Sequence, residues 1–204
     1  MARNKALMSS DMVGMYSATD RPVADAMTSI LSQALCIYTN HKASTSTIVD
    51  CTAGVGGNTL SFARTFQKVV SVEINKRRSG CLSQNVTRHR CANVQVFNSN
   101  VLNLLHTMMF KDVHVFFVDP PWGGNSYKYK DFVSLTISGV KIHEVVRRLA
   151  RHALTDRVVG IKVPYNFDLR EFRTNLDPMV SIVHVCTLPK MLLLVLVIRS
   201  LPVS

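Results

Sequence analysis

Between residues 21 and 38, apolar side chains recur at Val23, Ala26, Met27, Ile30, Leu31, Ala34 and Leu35, the spacing of one face of an α-helix. Thr19 or Asp20 is placed to cap that helix, and Pro22 falls in its first turn, where a missing N–H does no harm. Residues 1–19 show no such period and are expected to form a loose arm; the polar stretch 40–47 reads as a loop. Short apolar runs then follow at 47–51, 69–73, 94–97, 113–118 and 157–163, each of the length of a buried strand. Between them lie helical patterns near 57–66, 76–90, 101–108 and 141–154; the last gathers Val145, Val146, Leu149, Ala150 and Leu154 on one side. Strands alternating with helices predict right-handed βαβ units around a parallel sheet. Beyond residue 178 the pattern changes to two apolar runs, 180–187 and 191–199, joined by Leu188-Pro189-Lys190, which predicts a closing hairpin. The expected fold is α/β: a Rossmann-like, doubly wound, mostly parallel sheet with a C-terminal antiparallel hairpin and an N-terminal helical extension. Residues 1–40 are expected to pack as arm and helix on the domain formed by 41–204, giving one structural unit.

The chain has 204 residues, 47% of them apolar and 18% charged, a globular composition rather than a disordered one. Twenty-four Lys and Arg against 13 Asp and Glu give a net charge of +11, which favours a polyanionic partner, most simply nucleic acid. A basic domain using charge only for solubility is the plainer alternative. The five cysteines, Cys36, Cys51, Cys81, Cys91 and Cys186, form no Cys-x-x-Cys pair, which predicts reduced thiols and no zinc site. The polar N-terminus lacks a signal-like apolar core, and the run at 191–198 is far shorter than the ~20 residues of a membrane span. A soluble intracellular protein of nucleus or cytoplasm, without a membrane partner, is expected.

Three constellations carry chemistry. Gly54, Gly56 and Gly57 follow the first strand, where they permit a tight turn and close approach of backbone to a ligand. Thr59 stands where a dinucleotide fingerprint needs its third glycine, and no P-loop lysine follows. Asp50, just before the turn, suits S-adenosylmethionine, whose ammonium group needs an anion nearby; a turn with no ligand is the alternative. Glu73 ends the next strand, where a carboxylate can take both ribose hydroxyls of a nucleoside or simply cap the following helix. Most specific is Asp119-Pro120-Pro121-Trp122-Gly123-Gly124 after the apolar run 113–118. The Asp119 carboxylate and Pro120 carbonyl are placed to accept the N–H groups of an exocyclic amine and aim its lone pair at a methyl donor. Trp122 offers a face for a base, a stack of about 1–3 kcal/mol; a core tryptophan in a proline turn is the alternative.

These residues resemble the trimethylguanosine synthase family, the RNA cap guanine-N2 methyltransferases. The resemblance rests on Gly54–Thr59, read Gly-Val-Gly-Gly-Asn-Thr, on Pro120–Gly124, read Pro-Pro-Trp-Gly-Gly, and on a loosened entry motif, Tyr16-Ser17-Ala18-Thr19-Asp20-Arg21-Pro22. It implies methyl transfer from S-adenosylmethionine to N2 of a 7-methylguanosine cap, with S-adenosylhomocysteine as product and capped RNA as partner, and no metal. It implies further that Thr19, Asp50, Thr52, Ala53, Gly54, Gly56, Asn58, Thr59 and Asp119 line the cofactor. Glu73 and Ile74 would meet the ribose, and Asn100 with Val101 the adenine. Ser17, Trp122, Tyr127, Lys128, Lys162, Tyr165 and Asn166 are implied for the substrate, with a cation–π gain for Trp122 against the cationic base. Catalysis would fall to Asp119, Pro120 and Trp122. Asp119 stands where the cap enzymes usually carry Ser; Asp is the commoner choice in adenine-N6 and ribosomal guanine-N2 enzymes. Tyr165 replaces the Arg expected near the cap phosphates, with Lys162 as the candidate substitute. An internal guanine or adenine amine, or a non-catalytic cap-binding module, are the competing expectations. Basic clusters at Lys76-Arg77-Arg78, Arg88-His89-Arg90 and Arg147-Arg148-Arg151 are solvated faces or phosphate contacts, and Lys128 and Lys130, alternating with Tyr127 and Tyr129, suit RNA.

Overall fold

The structure, a computed structural model, describes residues 9, 18–105, 107, 110, 112–150 and 155–200. The expected arm up to residue 17, including Ser17, lies outside them, as do residues 106 and 108 and the 151–154 end of the expected 141–154 helix.

The chain runs α1 (Arg21–Thr39), β1 (Thr47–Asp50), α2 (Gly57–Phe62), β2 (Lys68–Glu73), α3 (Lys76–Arg88), β3 (Val94–Asn98), α4 (Val101–Leu104) and β4 (Val115–Val118). A 3-10 turn (Gly124–Tyr129) and a small hairpin, β5 (Thr136–Ile137) with β6 (Val140–Lys141), precede α5 (Ile142–Ala150). The chain closes with β7 (Arg157–Val163), α6 (Leu169–Thr174), β8 (Val180–Leu188) and β9 (Met191–Ile198). Seven strands form one sheet in the order β3-β2-β1-β4-β7-β9-β8. The first five are parallel, and β9 enters antiparallel between β7 and β8. The expected doubly wound architecture and C-terminal hairpin are therefore present.

The pleat explains why the central strands are largely apolar. Along β4, Val115 and Phe117 point into a cluster with Met27, Leu31 and Leu35 of α1 and Phe62 of α2. Phe116 and Val118 point to the opposite side, against Val145, Val146 and Leu149 of α5. With helices on both faces, no position is left for alternating polar residues. Gly160 of β7 lets α1 settle closely, because a Cβ there would lie 2.7 Å from a Leu31 methyl. α1 ends at Asn40, whose left-handed backbone (φ 57°) returns an N–H to the Cys36 carbonyl.

Two helices, α2 and α3, are shorter than their periodicity suggests. α2 stops at Phe62 rather than near 66, and the following turn is held by Thr65 and Phe66 N–H groups on the Phe62 carbonyl. Phe66 is buried from that turn, so its spacing from Phe62 imitates another helical step. The 3-10 turn, the β5–β6 hairpin and α6 were not foreseen, since elements of two to six residues are too short to show a period. No helix among the described residues is long and apolar enough to cross a membrane. No group of three His, Cys, Asp or Glu among them is arranged to hold a metal.

Candidate active site

The carboxyl ends of β1, β2, β4 and β7 lie side by side, so residues distant in sequence meet along one edge of the sheet. β1 delivers Asp50 to that edge with 1% exposure. The Thr59 hydroxyl, from α2, donates to Asp50 Oδ2 at 2.7 Å and pairs with Ser71 Oγ at 2.9 Å. Asp50 Oδ1 is buried, with no donor within hydrogen-bond distance among the described residues. Burial first, then the nearby Asp119 and Glu73 charges, push its carboxyl up to about 7, against the pull of Thr59 and the Thr52 backbone.

Between β1 and α2 the backbone turns through Gly54 (φ 57°) and Gly56 (φ 102°) in left-handed conformations. Gly57 is constrained by crowding instead: a Cβ there would lie 2.9 Å from the Thr19 carbonyl oxygen. Asn58 donates from Nδ2 to Thr19 Oγ1 at 3.1 Å, and its own Oδ1 is buried without a partner. This edge thus carries two buried acceptors, Asp50 Oδ1 and Asn58 Oδ1, that lack donors among the described residues. A ligand ammonium supplies donors and a positive charge, so this set fits the methionine end of S-adenosylmethionine.

Glu73, 5% exposed, braces the neighbouring loop. Its Oε2 accepts the Gly54 N–H at 2.9 Å, and its Oε1 accepts the Asn75 N–H at 2.8 Å and Arg78 Nε at 3.2 Å. Ile74 beside it is 59% exposed. Asn100 caps α4, its Oδ1 accepting the Leu102 N–H at 3.0 Å and its Nδ2 donating to Ser138 Oγ at 3.1 Å. Val101 is buried beneath it.

β4 ends in the Asp119-Pro120-Pro121-Trp122 loop. The Asp119 N–H donates to Thr52 Oγ1 at 2.7 Å, tying this loop to the first turn. Lys162, from β7, is only 5% exposed and lies 2.7 Å from Asp119 Oδ2, 3.0 Å from Thr19 Oγ1 and 5.6 Å from the centre of the Trp122 ring. Burial raises the Asp119 carboxyl, and Lys162 pulls it back down by charge and hydrogen bond. Pro120 is buried. Trp122 is partly buried, takes the edge-on Tyr127 ring at 5.2 Å, and holds a buried Nε1 without an acceptor.

Thr19, Asp50, Thr52, Asn58, Thr59, Glu73, Asp119, Trp122 and Lys162 are therefore brought together. Others fall elsewhere. Lys162 does not project toward a phosphate; it is locked beneath Trp122 because Asp119 needs a cation in the same buried space. Tyr165 is 55% exposed, and its hydroxyl donates to the Leu188 carbonyl at 2.6 Å, away from Trp122. Asn166 holds the 3-10 turn, donating to the Tyr127 and Lys130 carbonyls at 2.8 and 2.7 Å. Lys128 is exposed on that turn. Sequence reasoning missed Ser71 and Arg78; a polar residue inside an apolar strand and a cation five positions after Glu73 were the available signals. A polar cleft of about 290 Å³ between α1 and α2 lies away from this edge, its Asp25 satisfied by Arg64 and Ser61.

Residues 45–193 match the family of RNA cap guanine-N2 methyltransferases. The chain belongs to that family. It is 34% identical over 125 residues to an uncharacterised protein of Acanthamoeba polyphaga mimivirus, an alignment covering 61% of this chain and 48% of the other. It is 30% identical over 128 residues to the trimethylguanosine synthase of Schizosaccharomyces pombe, covering 61% and 52% respectively. The chain thus spans about half the length of these curated relatives. Among solved structures, an RNA methyltransferase from Salinibacter ruber in complex with S-adenosyl-L-homocysteine superposes with a TM-score of 0.59 at 14% identity, over 91% of this chain and 97% of that one. An rRNA methylase from Streptococcus thermophilus superposes with a TM-score of 0.52 at 15% identity, over 87% and 94%. Both share the fold. The chain has the Rossmann-like fold that these structures share.

Proposed function

We propose that the chain transfers a methyl group from S-adenosylmethionine to the exocyclic N2 of a 7-methylguanosine cap on RNA. The observation that carries this reading is the junction of the two loops. A partly buried carboxylate, Asp119, stands beside Trp122 and is tied through Thr52 to the turn bearing the Asp50 and Asn58 acceptors that lack a donor among the described residues. When bound, the cofactor supplies a methyl group already activated by its sulfonium, so the protein's task is alignment.

Asp50 and Asn58 hold the ammonium end, Glu73 the ribose hydroxyls, and exposed Ile74 gives the adenosine an apolar surface. With Asp119 Oδ2 engaged by Lys162, Asp119 Oδ1 and the Pro120 carbonyl accept the two amine hydrogens, which turns the nitrogen lone pair toward the methyl group. The amine nitrogen that takes the methyl group, leaving S-adenosylhomocysteine, would carry a positive charge and lose one proton. Asp119, whose pKa already lies above that of an ordinary carboxyl, receives it and passes it to water. Trp122 fixes the plane of the base; Lys162 approaches the ring of Trp122 and the cationic base takes the remaining aromatic surface.

One observation favours a second reading. The cation expected at the cap phosphates, Lys162, is buried, so an acceptor without a triphosphate, such as an internal guanine of RNA, fits the same amine loop. Labelled S-adenosylmethionine offered with m7GDP, GDP and uncapped RNA separates the two. Label in m7GDP but not GDP supports the cap; label only in uncapped RNA moves the acceptor to an internal base.

A further inference from the structure

Large apolar side chains left open to water are uncommon unless something covers them. Among the described residues, Tyr129 is 89% and Phe132 70% exposed, and both sit just after Trp122. Neither belongs to a loose end. The 3-10 turn carrying Tyr129 is fixed by Asn166, whose Nδ2 reaches the Tyr127 and Lys130 carbonyls. Phe132 is followed at once by Val133, whose N–H donates to the Asn166 carbonyl at 2.8 Å and whose own carbonyl accepts the Asp168 N–H at 3.0 Å. Tyr127 of the same turn is directed inward against Trp122, so the outward placement of Tyr129 and Phe132 is not a property of the whole turn. Lys128 and Lys130 are exposed between and beside them, with Asp131 as the adjoining acid.

Rigidly presented aromatic faces interleaved with lysines are what single-stranded nucleic acid needs: a flat surface for each base and a cation for each phosphate. We propose that Tyr129 and Phe132, with Lys128 and Lys130, form a stacking platform for the nucleotides that follow the methylated guanosine in single-stranded RNA. This deepens the proposed function and rests on it. The natural acceptor is then a capped RNA rather than a free cap nucleotide, and sequence preference is weak because every base has a π-face.

The test compares m7GDP with a short capped oligonucleotide as methyl acceptors for the wild-type chain, for Tyr129→Ser/Phe132→Ser, and for Lys128→Glu/Lys130→Glu. Thermal melting verifies that both variants fold. The expected result is a lower KM for the oligonucleotide in the wild type. The aromatic variant raises that KM by at least roughly 5- to 150-fold, the equivalent of one of its two lost stacks, with kcat/KM on m7GDP within about twofold of wild type. The lysine variant reduces the slope of log affinity against log salt by about 1.4 for the oligonucleotide. Equal KM values for both acceptors in the wild type, or equal losses on both acceptors in the aromatic variant, would overturn the platform while the cap reading stands. Uncapped RNA labelled by the wild type, and no longer by the aromatic variant, would remove the cap reading and retain the platform.

Discussion

Lowering the pH from 7 to 5.5 protonates Asp50 before most other carboxylates, since burial, Asp119 and Glu73 have pushed it up to about 7. Its Oδ1 is a buried acceptor without a donor among the described residues, so protonation removes the anion that the cofactor's ammonium needs. With a pKa of about 7, the ionised fraction falls from about one half at pH 7 to about 3% at pH 5.5. Affinity for S-adenosylmethionine then falls roughly 15-fold across that window, or about 1.6 kcal/mol. Calorimetry at pH 5.5 in two buffers of different ionisation enthalpy reads the same event directly: binding releases close to one proton. Asp50→Asn keeps an acceptor for Thr59, binds the cofactor weakly, and loses both the pH dependence and the proton release. The sign for stability is opposite. The folded pKa lies above the ordinary value of 3.8, so the ligand-free chain loses stability as pH rises from about 4 to about 7, by at most about 4 kcal/mol, and Asp50→Asn lacks that loss. A cofactor affinity that stays flat between pH 7 and 5.5, with no proton released, would refute the assignment of the ammonium to Asp50.

Three further outcomes follow from the same edge. Lys162→Met strands the partly buried Asp119 carboxylate: urea unfolding should show a loss of up to about 3–5 kcal/mol, and the acid limb of the rate profile should move to higher pH because Asp119 loses the charge that lowers it. Gly57→Ala forces the Thr19 backbone away from the turn, so cofactor affinity in calorimetry should drop at least tenfold, with the melting temperature shifting by only a few degrees. Trp122→Ala should abolish cap binding in fluorescence or calorimetric titrations and spare cofactor binding; equal loss of both ligands counts against its role as base platform.

The fold was legible because the central strands β1, β2, β4, β7 and β9 are buried on both sides and therefore largely apolar, and because the glycines and prolines punctuate the edge. Asp50, Glu73 and Asp119 could be placed at that edge for the same reason: each ends an apolar run. What could not be read was who pairs with whom. Lys162 was expected near the cap phosphates, as a substitute for the Arg that Tyr165 replaces; only the crossing of β7 beside β4 shows that it pairs with Asp119. Thr19 lies 143 positions from Lys162, and no local pattern records that contact. Asn166 and Tyr165 sit in a matching motif, yet one holds a turn and the other bonds the β8–β9 junction, because neighbouring residues in a loop face different elements.

β9, Met-Leu-Leu-Leu-Val-Leu-Val-Ile, contains no charge and no proline, the composition of a segment prone to intermolecular cross-β assembly. Its place inside the sheet hides both of its edges, one against β7 and one against β8. The outer strand is the one offered to other molecules, and there a register shift between Ile182 and His184 interrupts the ladder a second chain would copy. β8 thus acts as a sacrificial margin that keeps the most self-associating stretch of the chain from meeting its own copies during synthesis and transient opening.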